Sequence, residues 1–178
     1  TGSMSGAERA MSLVRSESDR LGLPVLEAAK GLKGLQAAGM AAGIPLTDLE
    51  EQFKAASQAT TFFAMSTTES ERVFKAWTQI LSKDKLMAEE LTQQLGDSLP
   101  GAISIMARAL GYVNKNGLPD TARLMKEMEK GAIDGSDAME KFGKELLKIT
   151  DKGILTASQS AMKEMTRMQN EIKFFKQS

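Results

Sequence analysis

Apolar residues recur at steps of three and four positions along most of this 178-residue chain. That spacing places them on one face of an α-helix. The clearest stripe consists of Val73, Phe74, Trp77, Ile80 and Leu81. Ser66 and Glu69 precede it at the spacing of a capping box, in which each side chain accepts a hydrogen bond from the other residue's backbone amide. The pattern predicts a capped helix packed through one face.

The composition also favours helices over strands. The chain has 22 Ala, 19 Leu and 12 Met but only 4 Val and 8 Ile. The first three residue types favour helices, whereas β-branched residues favour strands. Glycine and proline interrupt the apolar pattern at short intervals, as they do between helices. We therefore predict an all-α protein, a compact bundle of about seven helices joined by short turns, with a longer C-terminal helix.

Start and stop signals place individual helices. A second capping box, Thr47 with Glu50, predicts the start of one helix. Gly96 is expected to end a short helix over residues 86–95 in the left-handed conformation that glycine adopts readily. First-turn positions, where a missing N–H costs nothing, are predicted for Pro24, Pro100 and Pro119.

Four glycines interrupt the second helical segment, namely Gly31, Gly34, Gly39 and Gly43. Glycine lowers helix stability unless the missing side chain serves a purpose. We interpret these positions as sites where a neighbouring helix packs closely, in preference to a ligand-binding loop.

The last helix is predicted over Leu155 to Lys176. Its apolar stripe includes Met165, Met168, Ile172 and Phe175, at steps of three and four. This stripe is a candidate seam for self-association or for a partner, because coiled coils use that spacing. A terminal helix that lies across the domain would have the same pattern, and both interpretations stay open.

Most familiar catalytic sites are excluded, because the chain contains no Cys and no His. Two Ser-x-x-Lys pairs occur, Ser82 with Lys85 and Ser160 with Lys163. Their companion motifs are missing, so we interpret both pairs as accidental. Glu89 and Glu90 diverge on a helix and are assigned to the solvated surface. We predict no enzyme activity, no cofactor and no metal.

The charges give no reason to expect a polyanionic partner. The 23 Lys and Arg residues balance 23 Asp and Glu residues, so we expect no specific nucleic-acid binding. The chain also lacks a run of about 18 apolar residues, and we expect no membrane association for it.

Residues 53–102 read FKAASQATTFFAMSTTESERVFKAWTQILSKDKLMAEELTQQLGDSLPGA. This stretch resembles the N-terminal helical region of phage tail tape measure proteins, in which an element like AFTQILSKGKLSAEELTQQLGEALPGA recurs. Three segments follow that element, Trp77 to Lys85, Glu89 to Gly96 and Leu99 to Ala102. Asp84 stands where glycine is usual, which suggests a different local turn. The resemblance extends more weakly over roughly residues 10–150.

The resemblance implies a piece of a longer, mostly helical tape measure protein that sets tail length by templating tube assembly. It implies the tail tube protein, the tail assembly chaperone and tail terminal or baseplate proteins as partners. The expected location is the lumen of the virion tail, preceded by the bacterial host cytoplasm during assembly. We divide the chain into a cloning remnant (1–4), a helical tape-measure-like domain (5–150) and a C-terminal helix (151–178) that is a candidate start of a coiled coil.

Two other functions are weighed against this one. A stand-alone helical adaptor would bind a partner helix or a membrane surface through its Met-rich terminal stripe. A cell-wall-cleaving enzyme is the third hypothesis, and the missing His and unpaired carboxylates speak against it. A natural gene with sustained helical periodicity over many hundreds of residues would favour the tape measure hypothesis.

Overall fold

The computed structural model describes residues 4–157, with only the backbone at Met4 and 152–157, and also Thr166, Asn170 and Glu171. In this part of the chain the regular elements are seven α-helices and one π-helix, with no strand. The prediction of an all-α fold is confirmed. The elements are α1 (Met4–Leu21), α2 (Val25–Ala41), α3 (Leu46–Phe62), α4 (Thr67–Lys83), the π-helix (Glu90–Leu95), α5 (Ala102–Ala109), α6 (Thr121–Glu129) and α7 (Gly135–Ala157).

The core is built around the one tryptophan of the chain, where α3, α4 and α7 meet. Trp77 and Phe142 are fully buried, and their ring centroids lie 5.6 Å apart. The indole N–H of Trp77 donates a 2.8 Å hydrogen bond to Oε1 of Gln52 on α3. A buried indole N–H without a partner would cost its full desolvation energy. Gln52 therefore satisfies the indole N–H of this large aromatic ring inside the core.

The capping box at the start of α4 is confirmed. Ser66 Oγ accepts a hydrogen bond of 3.2 Å from the backbone N–H of Glu69. In return, Glu69 Oε2 accepts one of 2.8 Å from the backbone N–H of Ser66. Hydrogen bonds from the backbone and side chain of Ser66 lower the pKa of Glu69, because they favour the ionised carboxylate.

The capping box predicted at Thr47 and Glu50 is wrong. Pro45 is the N-cap of α3, so Thr47 lies inside the helix and its hydroxyl donates to Oδ1 of Asp48 instead. Glu50 forms a 2.7 Å ion pair with Arg9 on α1. The prolines predicted at first-turn positions precede their helices by one or two residues.

Two turn predictions around the π-helix are also corrected. Gly96 has a φ of −65°, so it is not left-handed. A Cβ on Gly96 would lie 2.5 Å from the backbone oxygen of Thr92, and close backbone contact explains the glycine instead. Asp84 has a φ of +55°, the conformation that glycine adopts most easily and Asp tolerates. Asp84 therefore adopts the turn conformation that glycine would adopt at this position, and the different local turn suggested by the sequence is not found.

The glycines of α2 allow close helix packing, as predicted. A Cβ on Gly31 would lie 3.0 Å from the Phe74 ring of α4. A Cβ on Gly39 would lie 2.1 Å from a methyl of Leu49 on α3. Gly43 differs from these two, because it has a φ of +79° and no side chain near its Cβ position. It serves the turn after α2 and makes no helix contact.

The helix predicted to begin near Leu155 is continuous with α7 as far as Ala157. Within α7, Met139, Phe142, Leu146 and Ile149 recur at steps of three and four, and the first three are buried. The fourth, Ile149, is 38% exposed. No helix among the described residues has both the length and the apolar character needed to cross a membrane.

Candidate functional site

A groove of about 780 Å³ lies between α2 and α4 and reaches the turns that precede them, residues 21–24 and 64–67. We call it the α2–α4 groove. Its volume is in the range of pockets that bind small molecules or side chains. Charged residues of both signs also line it, namely Glu27, Lys30, Glu71 and Lys75.

Two glycines of α2 lie where this helix meets α4 along the groove. Gly31 lies against the ring of Phe74, which is half-buried on α4. One turn further along, a Cβ on Gly34 would lie 3.3 Å from the Oγ1 of Thr78. Because both glycines face α4, the helices approach closely while leaving an apolar surface of small residues and one aromatic ring. That surface can contact an apolar side chain.

One wall of the groove contains a residue in an uncommon conformation. Ala64 has a φ of +50°. Its N–H bonds to the carbonyl of Thr61 at 3.0 Å, and the N–H of Met65 bonds to that of Thr60 at 2.9 Å. These are the two hydrogen bonds of a Schellman motif, which usually has glycine at the left-handed position. Left-handed backbone costs a residue with a Cβ about 1–2 kcal/mol.

The C-terminal part of the chain contributes to the same wall. Thr166 lines the groove. Asn170 is only 2% exposed, and its Nδ2 donates a 2.9 Å hydrogen bond to the backbone oxygen of Leu23, another lining residue. Glu171, next in the sequence, is exposed. The stripe predicted as a seam, Met165, Met168, Ile172 and Phe175, lies outside the described residues.

A second polar feature joins three helices near the C-terminal end of α7. Arg20 on α1 pairs with Glu17 at 2.5 Å and donates a 2.9 Å hydrogen bond to Oε1 of Gln58 on α3. The Nε2 of Gln58 donates to Thr150 Oγ1 at 2.9 Å and to Asp151 Oδ1 at 2.7 Å, both on α7. We call these five residues the polar clamp. It fixes the relative position of α1, α3 and α7.

The placement of Glu90 on the solvated surface was wrong, whereas Glu89 is exposed as predicted. Glu90 is 1% exposed and forms an ion pair with Lys83, whose side chain is half-exposed. The hydrogen bond to Glu90, and then its charge, raise the pKa of Lys83.

The first Ser-x-x-Lys pair has no catalytic geometry. The hydroxyl of Ser82 donates a 2.9 Å hydrogen bond to the carbonyl of Thr78, within its own helix, instead of contacting Lys85. The second pair, Ser160 and Lys163, lies outside the described residues. Within the described ranges we also find no group of three or more Asp or Glu side chains that could hold a metal ion. The site is suited to contacts with another chain segment.

The sequence interpretation did not identify the groove. The available signal in the sequence was the pair of glycines Gly31 and Gly34, which are three positions apart. In the structure, the first of them lies against the aromatic ring of Phe74 on α4. The spacing of these glycines correctly predicted that a neighbouring helix packs closely against α2. It could not show that the contact leaves a groove, because that depends on which neighbour each glycine faces.

Comparison with known proteins assigns the chain to a class of phage tail proteins. A sequence model of the tape measure protein family matches residues 1–177, almost the whole chain. The chain belongs to the tape measure protein family. Its general role is therefore that of a phage tail tape measure component. No curated protein and no solved structure matches it significantly.

Proposed function

We propose that this chain is part of a tape measure protein that sets the length of a phage tail and templates assembly of the tail tube. The family match over residues 1–177 carries this proposal. The length standard itself would be extended helix elsewhere in the full-length protein, because such a standard needs a polymer with a fixed rise per residue. An α-helix supplies a rise of about 1.5 Å per residue.

The partners follow from that role. We propose that the chain contacts the tail tube protein, the tail assembly chaperone and the tail terminal or baseplate proteins. Assembly would take place in the cytoplasm of the bacterial host, and the finished protein would occupy the tail lumen. The exposed helix faces of the bundle would make these contacts, and we propose no catalytic step for them. Self-association through the C-terminal stripe would suit residues 151–178 as the start of a coiled coil.

The test of length setting uses the full-length gene in its phage. An in-frame deletion in a helical region outside this domain should shorten the tail by about 1.5 Å for every residue removed. A duplication of the same region should lengthen the tail by a matching amount. Electron micrographs of purified tails measure both. Tails of unchanged length would contradict the proposal.

The stand-alone adaptor is the second candidate, and the α2–α4 groove favours it. An apolar groove between two helices can receive an amphipathic helix from a partner. The two functions differ in what deletion of this domain does in the phage. Loss of tails, or tails of uncontrolled length, supports the tape measure function, whereas normal tails support an adaptor.

A further inference from the structure

We propose that Asn116 is a site of spontaneous deamidation, and that the turn around Asn114 sets its rate. This inference does not depend on the proposed function. The chain contains three asparagines, Asn114, Asn116 and Asn170, and Asn116 is the one that precedes a glycine. Asparagine is a chemically labile residue. A following glycine favours the reaction, because no side chain shields the backbone nitrogen that attacks the amide.

Residues 114–118 form a tight turn, which we call the Asn114 turn. The backbone N–H of Asn114 bonds to the carbonyl of Leu118 at 2.8 Å, and the N–H of Gly117 bonds to the carbonyl of Asn114 at 2.9 Å. The side chain of Asn114 completes the turn. Its Oδ1 accepts hydrogen bonds from the backbone N–H of Asn116 at 2.9 Å and from that of Leu118 at 3.1 Å.

The two asparagines of this turn differ in what holds their side chains. The side chain of Asn114 makes the two hydrogen bonds just described, and Lys115 follows it. The side chain of Asn116 bonds to no described residue, and both Asn116 and Gly117 are exposed. A Cβ on Gly117 would meet no described atom within 4 Å. No other part of the described fold therefore crowds the reacting groups.

The reaction takes up water and releases ammonia. The backbone nitrogen of Gly117 attacks Cγ of Asn116, and a succinimide ring forms. The bond from Cγ to Nδ2 breaks, and the amide nitrogen leaves as ammonia with the proton of the Gly117 N–H. Water then opens the ring. Cleavage at Cγ gives aspartate, cleavage at the backbone carbonyl gives isoaspartate, and in both cases a proton returns to the nitrogen of Gly117.

The Asn114 turn has to open before this attack. In the closed turn the N–H of Gly117 is directed at the carbonyl of Asn114, away from the side chain of Asn116. Exposed loops open at a low cost in free energy compared with the core. The hydrogen bonds of the Asn114 side chain add to that cost, so they act as the brake on the reaction.

A second dipeptide shows how packing can prevent the same chemistry. Asp134 precedes Gly135, and an aspartate forms the same ring by loss of water. Here Gly135 is buried, and its N–H bonds to the carbonyl of Asp84 at 3.1 Å. A Cβ on Gly135 would lie 2.8 Å from the backbone nitrogen of Lys85. The sequence marks both dipeptides, and the structure selects Asn116.

The test incubates the complete 178-residue chain in mildly alkaline buffer and follows its tryptic peptides by mass spectrometry. Trypsin separates the three asparagines into peptides 109–115, 116–123 and 168–173. We expect the mass gain of an amide converted to an acid in peptide 116–123 alone, with equimolar release of ammonia. Asn116→Gln is the matched control. It should release no ammonia over the same time, because glutamine forms the corresponding larger ring slowly.

Asn114→Ala tests whether the turn sets the rate. It removes the hydrogen bonds that Oδ1 of Asn114 accepts, so the turn opens more often. We expect deamidation of Asn116 to be about fivefold faster, the effect of one net hydrogen bond. In concentrated urea, where the fold is lost, the variant and the unmodified chain should react at the same rate.

Three outcomes would overturn the inference. Peptide 116–123 without a mass gain would show that Asn116 is not a deamidation site. An equal gain in peptide 109–115 would show that the turn does not distinguish its two asparagines. An unchanged rate in folded Asn114→Ala, or a faster rate that persists in urea, would show that the turn does not control the reaction.

Discussion

Gly39→Ala tests the close contact between α2 and α3 most directly. Alanine in place of glycine favours a helix by about 1 kcal/mol when space is available. At Gly39 the new methyl would lie 2.1 Å from one methyl of Leu49 and 2.8 Å from the other. Leu49 is fully buried, so it has little room to move. Overpacking of this kind costs about 1–3 kcal/mol, and at such short distances we expect the upper half of that range.

The expected net result is a loss of about 1–2 kcal/mol in the free energy of unfolding. Gly143→Ala is the matched control, because Gly143 is also a buried glycine inside a helix. Its new methyl would meet Ala55 at 3.5 Å and Trp77 at 3.6 Å, both ordinary contacts. This variant should gain about 1 kcal/mol. Urea unfolding followed by circular dichroism measures both, and a Gly39→Ala protein as stable as Gly143→Ala would refute the packing argument.

Two further predictions concern caps and the core. Ser66→Ala should lower the free energy of unfolding by about 1 kcal/mol, whereas Thr47→Ala, which removes no cap, should change it little. The folded-state pKa of Glu69 is lowered, so its contribution is present above the unfolded pKa and is lost as the pH falls through the folded pKa. The difference between Ser66→Ala and the unmodified chain should therefore shrink in acid, as urea titrations at several pH values would show. Gln52→Ala should cost about 1–3 kcal/mol, because it leaves the Trp77 N–H buried and unpaired, and should alter the fluorescence of that single indole.

Most of the helices could be predicted because their signals are local. The apolar stripe after Val73 and the capping box at Ser66 each depend on residues within one or two turns. The errors came where a neighbouring residue changed the geometry. Pro45 took the capping position that Thr47 was expected to hold. Glu90 was expected in solvent, but it is buried and pairs with Lys83.

The groove could not be predicted, because it depends on which elements meet across the fold. Gly31 signals a close approach, but the ring opposite it belongs to a residue 43 positions later in the chain. The hydrogen bond between Asn170 and Leu23 joins residues 147 positions apart, so no local sequence pattern predicts it. The stripe from Met165 to Phe175 stays a prediction.

The polar clamp has a consequence for the timing of synthesis. Gln58 and its partner Thr150 are 92 positions apart, so α3 leaves the ribosome long before α7 exists. At roughly 5–20 residues per second, that interval is about 5–20 s. During it, the face of α3 that carries the fully buried Ala55, which lies next to Gly143 of α7, has no α7 to cover it. A nascent chain with an uncovered apolar face for so long is open to aggregation until α7 is synthesised.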